Sequence, residues 1–146
     1  MIFKKLNTLI TLILAFILSS CMSFREFPVS DKAPGAEVKV AVTTDKYENS
    51  VIRIKTKYLV SPMRLQPSKS FYVVWVETEA NGIMNVGRLN SKTSKVSKLK
   101  TLTPFDPAEV FITAEDNPLL TVPKGIEICR IDLSEIESDK EEVTEK

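Results

Sequence analysis

The chain contains no histidine among its 146 residues. Histidine is the side chain that most often moves protons near neutral pH, and it is the commonest protein ligand for metal ions. Its absence excludes Ser-His and Cys-His nucleophilic pairs, His-ligated zinc and histidine general acid–base catalysis. We therefore expect a protein that is not an enzyme and that holds no cofactor.

Long hydrophobic runs are also missing. The most apolar stretch, residues 9–18, is half as long as the roughly 20 residues that a membrane-spanning helix needs. Two lysines, Lys4 and Lys5, precede it, and two small residues, Ser19 and Ser20, follow it. A positively charged N-terminal region, a short apolar segment and small residues at the cleavage site are typical of an export signal. The pattern predicts that residues 1–20 are a signal peptide.

The segment Leu18-Ser19-Ser20-Cys21 resembles the lipobox of bacterial lipoproteins. The resemblance implies that the Cys21 thiol receives a diacylglycerol, that cleavage precedes Cys21, and that the new amine is acylated. Several acyl chains hold a protein firmly on a membrane, whereas one chain does not. We expect a lipid anchor on the extracytoplasmic side of the cell envelope, with the outer membrane favoured in a Gram-negative organism because Met22 replaces the aspartate of inner-membrane retention. The alternative is an ordinary signal peptide with a cysteine at the cut site.

Cysteine is otherwise nearly absent, since Cys129 is the one thiol besides Cys21. With Cys21 acylated, Cys129 has no partner for an intrachain disulfide. It lies in the apolar segment 126–133, where a small and weakly polar side chain suits a protein core. We expect Cys129 to be buried and unreactive.

The sequence also has no large excess of positive or negative charge. Without residues 1–20, whose charged residues are Lys4 and Lys5, the remaining 126 residues carry 18 basic and 19 acidic side chains. Near-neutrality argues against a nucleic-acid partner, which would need a strongly basic surface, and export argues against it further. The length is sufficient for one domain with a single core.

Alternation of apolar and polar residues, the pattern of β-strands, begins near residue 37. Val38, Val40 and Val42 alternate with polar or small residues, and residues 71–76 (FYVVWV) form an unbroken apolar run typical of a central strand. Proline and Asn-Gly turn signals separate the segments. The predicted strands are 38–42, 52–56, 71–76, 83–89, 96–102, 109–114 and 126–133. About seven short strands at this spacing predict an all-β, immunoglobulin-like β-sandwich over residues 36–133.

The two ends of the exported chain show no such pattern. Residues 21–35 have no sustained period and are interpreted as a lipidated tether, with Phe24 and Phe27 placed at the membrane interface or on the domain edge. Residues 134–146 contain six acids and two lysines with few apolar side chains. We interpret this segment as an acidic, disordered tail or a frayed helix.

Residues 60–125 resemble the extracytoplasmic domain of anti-sigma-K factors. The segments that carry the resemblance are VSPMRLQPSKSFYVVWV, GIMNVGRL and AEVFITAEDNPLLTVPKG. The resemblance implies a β-sandwich on the far side of a membrane, with Trp75 in its core. The chain shows neither the sigma-binding region nor the membrane span of that family, so inhibition of a sigma factor does not carry over. An accessory role in envelope stress sensing is the function that this resemblance adds.

Residues 88–100 (RLNSKTSKVSKLK) hold five basic residues and no acid. We expect Lys92, Lys95, Lys98 and Lys100 to lie on a hairpin as a candidate surface for anionic lipid headgroups, a polysaccharide or an acidic protein. The acidic tail of the same chain is another candidate ligand. The structural alternative is a solvated edge on which lysines prevent strand aggregation.

Two further constellations have the residue types of catalytic or metal sites. Ser97 and Lys100 have the spacing of a serine–lysine nucleophile pair, which needs a buried and deprotonated lysine. Glu77 and Glu79 share a strand face and, with Glu115 and Asp116, are candidates for calcium binding or paired-carboxylate chemistry. No metal-loop spacing supports the second set, and solvent-facing acids are the alternative.

The sequence thus predicts an envelope lipoprotein that acts as a non-catalytic binding or assembly module for an unidentified protein or glycan. A small hydrolase using Ser97 and Lys100, or an accessory of an anti-sigma-like stress system, is the alternative.

Overall fold

The computed structural model describes residues 22–90 and 95–133. They form eight β-strands and one turn of 3-10 helix, Pro62–Arg64. The strands are β1 (Arg25–Glu26), β2 (Glu37–Thr44), β3 (Ser50–Lys57), β4 (Phe71–Thr78), β5 (Gly82–Leu89), β6 (Val96–Thr103), β7 (Glu109–Glu115) and β8 (Ile126–Asp132). The all-β prediction is confirmed, whereas the predicted signal peptide and acidic tail lie outside the described residues. Within the described ranges, no helix has the length and apolar character needed to span a membrane.

The strands form two antiparallel sheets of four strands each. The first sheet has the order β1-β2-β3-β6, and the second sheet has the order β5-β4-β7-β8. In immunoglobulin lettering, strands β2 to β8 are A-B-E in the first sheet and C′-C-F-G in the second, with β1 added beside A. The predicted immunoglobulin-like sandwich of about seven strands is therefore confirmed.

Side-chain alternation explains why the two sheets pack together. In β2 and β3, Val40 and its partner Ile54 at even-numbered positions point inward, and each is 1% exposed. From the second sheet, Tyr72, Val74 and Ile112 enter the same buried cluster. Each such side chain contributes roughly 1.5–3 kcal/mol when it is removed from water. Cys129 belongs to this cluster, as predicted.

The central strand β4 is apolar on both faces because a loop covers its outer side. Val73 and Trp75 form a separate buried cluster with Phe111, and Leu120 of the β7–β8 loop packs against it. The Asn85 side-chain amide fixes this loop by donating to the carbonyl oxygens of Pro118 and Leu120, each at 2.9 Å. Trp75 is therefore a core residue, as predicted, but beneath a loop and not between the sheets.

The described part of the predicted tether is part of the folded body. Arg25 and Glu26 pair with Val40 and Lys39 of β2, and Phe27 is 5% exposed within the inter-sheet core. The domain thus begins at residue 25 and not at residue 36. A strand of two residues is too short to show the alternation from which strands are predicted.

Candidate functional site: a cationic sheet face

The outer face of the first sheet collects basic side chains from three strands. Because successive strand residues point to opposite faces, the burial of Ile52 and Ile54 toward the core directs their odd-numbered neighbours outward. We call this surface the cationic face. It consists of Lys39 on β2, Arg53, Lys55 and Lys57 on β3, and Lys98 and Lys100 on β6.

The strand register sets like charges directly opposite each other on the cationic face. Arg53 pairs with Lys100, and Lys55 pairs with Lys98. Directly opposite residues have Cβ atoms about 4.5–5.5 Å apart, and like charges at that separation destabilise a sheet. Among the described residues, no acidic side chain forms an ion pair with Lys55, Lys98 or Lys100. Within the described ranges, the β6 side of the face therefore carries positive charge that no acid compensates.

The described acids that pair with the face belong to β1 and β2, on the side of the sheet opposite β6. Glu26 lies 3.1 Å from the Lys39 ammonium, and Glu37 lies 3.1 Å from the Lys57 ammonium. The hydrogen bond that Lys57 donates to Glu37, with the attraction between their charges, raises the pKa of Lys57. The Arg53 guanidinium donates to the Thr43 hydroxyl at 2.7 Å, which orients its side chain toward β2. Among the described residues, the cations without an acidic partner therefore lie on β3 and β6, away from the β1–β2 side of the sheet.

The predicted basic residues are only partly brought together. Lys98 and Lys100 lie on the cationic face, and Lys95 precedes β6 as an exposed residue whose carbonyl oxygen accepts from the Tyr58 amide at 2.9 Å. Lys92 lies outside the described residues. Arg88 belongs to β5 and lies over the Phe71 ring at 5.7 Å on the outer side of the second sheet.

The predicted hairpin is therefore wrong. Strands β5 and β6 belong to different sheets and do not pair with each other. Lys39, Arg53, Lys55 and Lys57 were not among the predicted site residues. Their alternation with buried residues was visible in the sequence, but only the register of β3 on β6 joins them to Lys98 and Lys100.

A shallow depression marks the end of the cationic face where β3 ends and β6 begins. Its lining combines three ammonium groups with small and polar side chains. The lining residues are Lys55, Lys57, Asn90, Val96, Ser97 and Lys98. The depression is open to solvent and continuous with the sheet, so it extends the flat cationic surface and does not form an enclosed pocket.

The structure separates the predicted serine–lysine pair. Ser97 is 6% exposed and points inward, where its hydroxyl donates to the carbonyl oxygen of Asn90. Lys100 lies three residues further along the same strand and is exposed on the opposite face. The proposed Ser97–Lys100 nucleophile pair is therefore not formed, because Lys100 cannot take a proton from a hydroxyl on the other side of the sheet.

The predicted carboxylate set is also dispersed. Glu77 accepts a hydrogen bond from Arg130 at 2.8 Å, and this guanidinium also bonds to Glu109 and Glu127. Its hydrogen bonds, first of all the one to Glu127, raise the pKa of Arg130. Arg130 lies 4.0 Å above the Phe111 ring. Glu77 therefore serves an ion-pair network on the outer face of the second sheet.

Glu115 lies at the other end of that sheet. In the β4–β7 register Glu77 pairs with Glu109, whereas Glu115 pairs with Phe71, which places the two glutamates about 20 Å apart along the strands. Glu115 is 1% exposed and accepts from the Thr113 hydroxyl at 2.7 Å. Asp116 pairs with Lys69 at 2.6 Å. Glu77, Glu115 and Asp116 are therefore not gathered into one site, and the described residues contain no cluster of metal-ligating side chains.

Comparison of the chain with protein-family models, with curated proteins and with solved structures gave no match. The resemblance to anti-sigma-K factors and the lipidation of Cys21 therefore stay predictions. Any functional conclusion for this chain rests on the arrangement of its own residues.

Proposed function

We propose that the chain is a lipid-anchored protein of the cell envelope that binds an anionic partner through its cationic face. It acts without catalysis, and Cys21 carries the anchor. The observation that carries this proposal is the pair of like-charge contacts, Arg53 with Lys100 and Lys55 with Lys98, in the middle of a sheet.

Protection of a sheet edge does not account for this arrangement. Lysines on an edge strand prevent pairing with other chains, and that role suits Lys98 and Lys100 on β6. Strand β3, however, lies between β2 and β6 and has no free edge. Arg53 and Lys55 of β3 therefore increase the electrostatic repulsion on the face without protecting an exposed strand edge. An anionic ligand relieves this repulsion when it binds, so these charges favour binding.

The position of Cys21 supports the anchor. The signal-like pattern ends one residue before it, and the folded body begins four residues after it, at Arg25. Metabolic labelling with a palmitate analogue tests this part of the proposal. The wild-type chain is expected to take up the label and to stay with the membrane fraction. A Cys21→Ala variant that remains membrane-bound would contradict the anchor.

Photo-crosslinking in cells tests the cationic face. A photoreactive residue replaces Leu102, which is 54% exposed on β6 beside the face. We expect crosslinked partners that disappear in a Lys98→Glu/Lys100→Glu background. A Lys46→Glu/Lys124→Glu background changes the net charge equally at exposed positions away from the face and is expected to leave the crosslinks in place. Equal loss in both backgrounds would show that the face has no specific role.

A further inference from the structure

We infer that the cationic face lies flat on the anionic phospholipid headgroups of the membrane that holds the anchor. This inference rests on the proposed function and names the anionic partner as a lipid surface. Three features of the described residues carry it: the short connection to Cys21, the sheet that receives this connection, and the shape of the face.

The connection between the anchor and the folded body is too short to lift the domain from the bilayer. Arg25 is the first paired residue of the first sheet, and Cys21 precedes it by four residues. A fully extended chain spans at most about 3.5 Å per residue, so the anchor lies within about 14 Å of β1. Strand β1 is therefore held within about two Debye lengths, of about 8 Å each, of the membrane surface.

The connection enters the same sheet that bears the cationic face. Glu26 of β1 pairs with Lys39, whose side chain belongs to that face. Neighbouring strands are about 4.8 Å apart, so β6 lies about 14 Å across the sheet from β1. A sheet that rests flat beside its anchor brings Lys98 and Lys100 to the headgroups together with the cations of β3.

Exposed apolar side chains lie just before β1 and at both ends of the β6 row, at positions suited to a membrane interface. Met22 and Phe24, next to Cys21, are 42% and 39% exposed. Val96 and Leu102, at the two ends of the β6 row, are 37% and 54% exposed. Cationic side chains interspersed with exposed apolar ones are typical of surfaces that lie in the headgroup region.

The shape of the face favours lipid over a glycan. Glycans and other small ligands bind in concave sites lined by aromatic side chains and directed polar groups. The described outer face of the first sheet is an open sheet surface whose residues on β2, β3 and β6 include no aromatic side chain. A planar array of headgroups meets such a surface without needing a cleft.

The test measures which face of the acylated protein contacts the membrane. Cys21 is acylated in the proposed protein, and Cys129 is 8% exposed, so an introduced cysteine takes up a thiol-reactive fluorophore selectively. Leu102→Cys labels the first sheet, and Ile83→Cys is the matched control on the outer face of the second sheet, paired with Glu77. Both proteins are reconstituted in vesicles that carry a headgroup-attached quencher, with or without phosphatidylglycerol.

With phosphatidylglycerol, we expect quenching at position 102 to exceed quenching at position 83 severalfold. The difference should vanish in neutral vesicles, at high salt, and in a Lys98→Glu/Lys100→Glu background. Equal quenching at both positions, or a difference that survives charge reversal, would overturn the inference. So would quenching at position 102 that appears only after removal of residues 134–146, since the acidic segment would then occupy the face.

The proposed function and the docking inference fail in different ways. If position 102 stays unquenched while the protein still binds heparin through Lys98 and Lys100, the face binds an anionic ligand other than the bilayer, and only the docking inference is lost. If the charge reversal changes neither quenching nor heparin binding, the proposed function and the docking inference are both contradicted.

Discussion

The Tyr72 hydroxyl lies in the inter-sheet core without a hydrogen-bond partner among the described residues. Tyr72 is fully buried, and a buried hydroxyl without a partner costs roughly 1–3 kcal/mol of stability. We expect Tyr72→Phe to raise the free energy of unfolding by about 1 kcal/mol, measured by urea denaturation. Trp75→Phe is the comparison, because the Trp75 indole donates to Thr113 at 2.8 Å. It should be destabilising, and a loss of stability in Tyr72→Phe would contradict the structure.

Stability should fall at alkaline pH because two core groups resist ionisation. Burial, with a smaller effect of Cys129, raises the pKa of Tyr72 from 10.0 to about 12. Burial, with a smaller effect of Glu127, raises the pKa of Cys129 from 9.0 to about 12. In the unfolded chain both groups lose their protons at lower pH, so their contribution is complete below pH 9 and is lost as pH rises toward 12.

The Tyr72→Phe/Cys129→Ala variant removes both titrations. We expect its free energy of unfolding to decline less steeply than that of the wild type over this alkaline range, in urea titrations at a series of pH values. Equal slopes would mean that neither group is held in its protonated form by burial.

Residue-level predictions from the sequence succeeded for packing and failed for chemistry. The burial of Trp75 and Cys129 follows from apolar segments, and both are buried. The Ser97–Lys100 spacing places two residues on one face of a helix but on opposite faces of a strand. The alternation that predicts β6 therefore already separated them. Partners such as Arg130 for Glu77 depend on the register of β4, β7 and β8, which a single sequence does not specify.

The loop between β7 and β8 requires a glycine where it returns to the sheet. A Cβ atom at Gly125 would lie 1.8 Å from the Ala114 carbonyl oxygen and 2.7 Å from the buried Glu115 carboxylate. We expect Gly125→Ala to lower the free energy of unfolding by about 2 kcal/mol, because the backbone must shift. Gly35→Ala is the control, since a Cβ there meets nothing within 4 Å. Thermal melts that give the same change for both variants would contradict this prediction.

The N-terminal strand provides a second prediction at the level of elements. If residues 22–35 were only a tether, truncation of Phe27 would leave stability unchanged. Phe27 is 5% exposed in the core, and its amide donates to the Val38 carbonyl oxygen at 2.8 Å. We expect Phe27→Ala to destabilise the domain by about 3 kcal/mol in urea denaturation. Phe24→Ala should have little effect, because Phe24 is 39% exposed.

Strand existence was more predictable than strand pairing. All seven predicted strands occur, because each is long enough to show alternation or an apolar run. The short spacing between β5 and β6 in the sequence suggests a hairpin, yet the two strands belong to different sheets. Loop length alone does not distinguish these two connections. For this reason the full cationic face could not be predicted from the sequence, since its residues come from strands far apart in the chain.

At the scale of the whole molecule, a near-zero net charge conceals separation of charge between the two sheets. The chain has 20 basic and 19 acidic residues. On the second sheet, Arg130 is surrounded by Glu77, Glu109 and Glu127. On the first sheet, the cations of β3 and β6 oppose each other. Net charge predicted no charged surface, and the topology joins the cations of β3 to the basic residues of β6.

This separation predicts that binding and stability respond oppositely to one substitution. In Lys98→Glu/Lys100→Glu, each new carboxylate lies opposite a cation, Lys55 or Arg53. Repulsion is replaced by attraction, so stability should be retained or increased by about a few tenths of a kcal/mol at this exposed surface. Retention on immobilised heparin, a soluble polyanion, should nevertheless be lost.

The Lys46→Glu/Lys124→Glu variant separates this effect from a change in net charge. It should still be retained on heparin, at a slightly lower salt concentration than the wild type, because its substitutions lie away from the cationic face. If Lys98→Glu/Lys100→Glu loses stability along with binding, the opposed lysines contribute to folding and not to a ligand site. Improved stability with lost binding is the expected result for a face whose charges are arranged for an anionic surface outside the molecule.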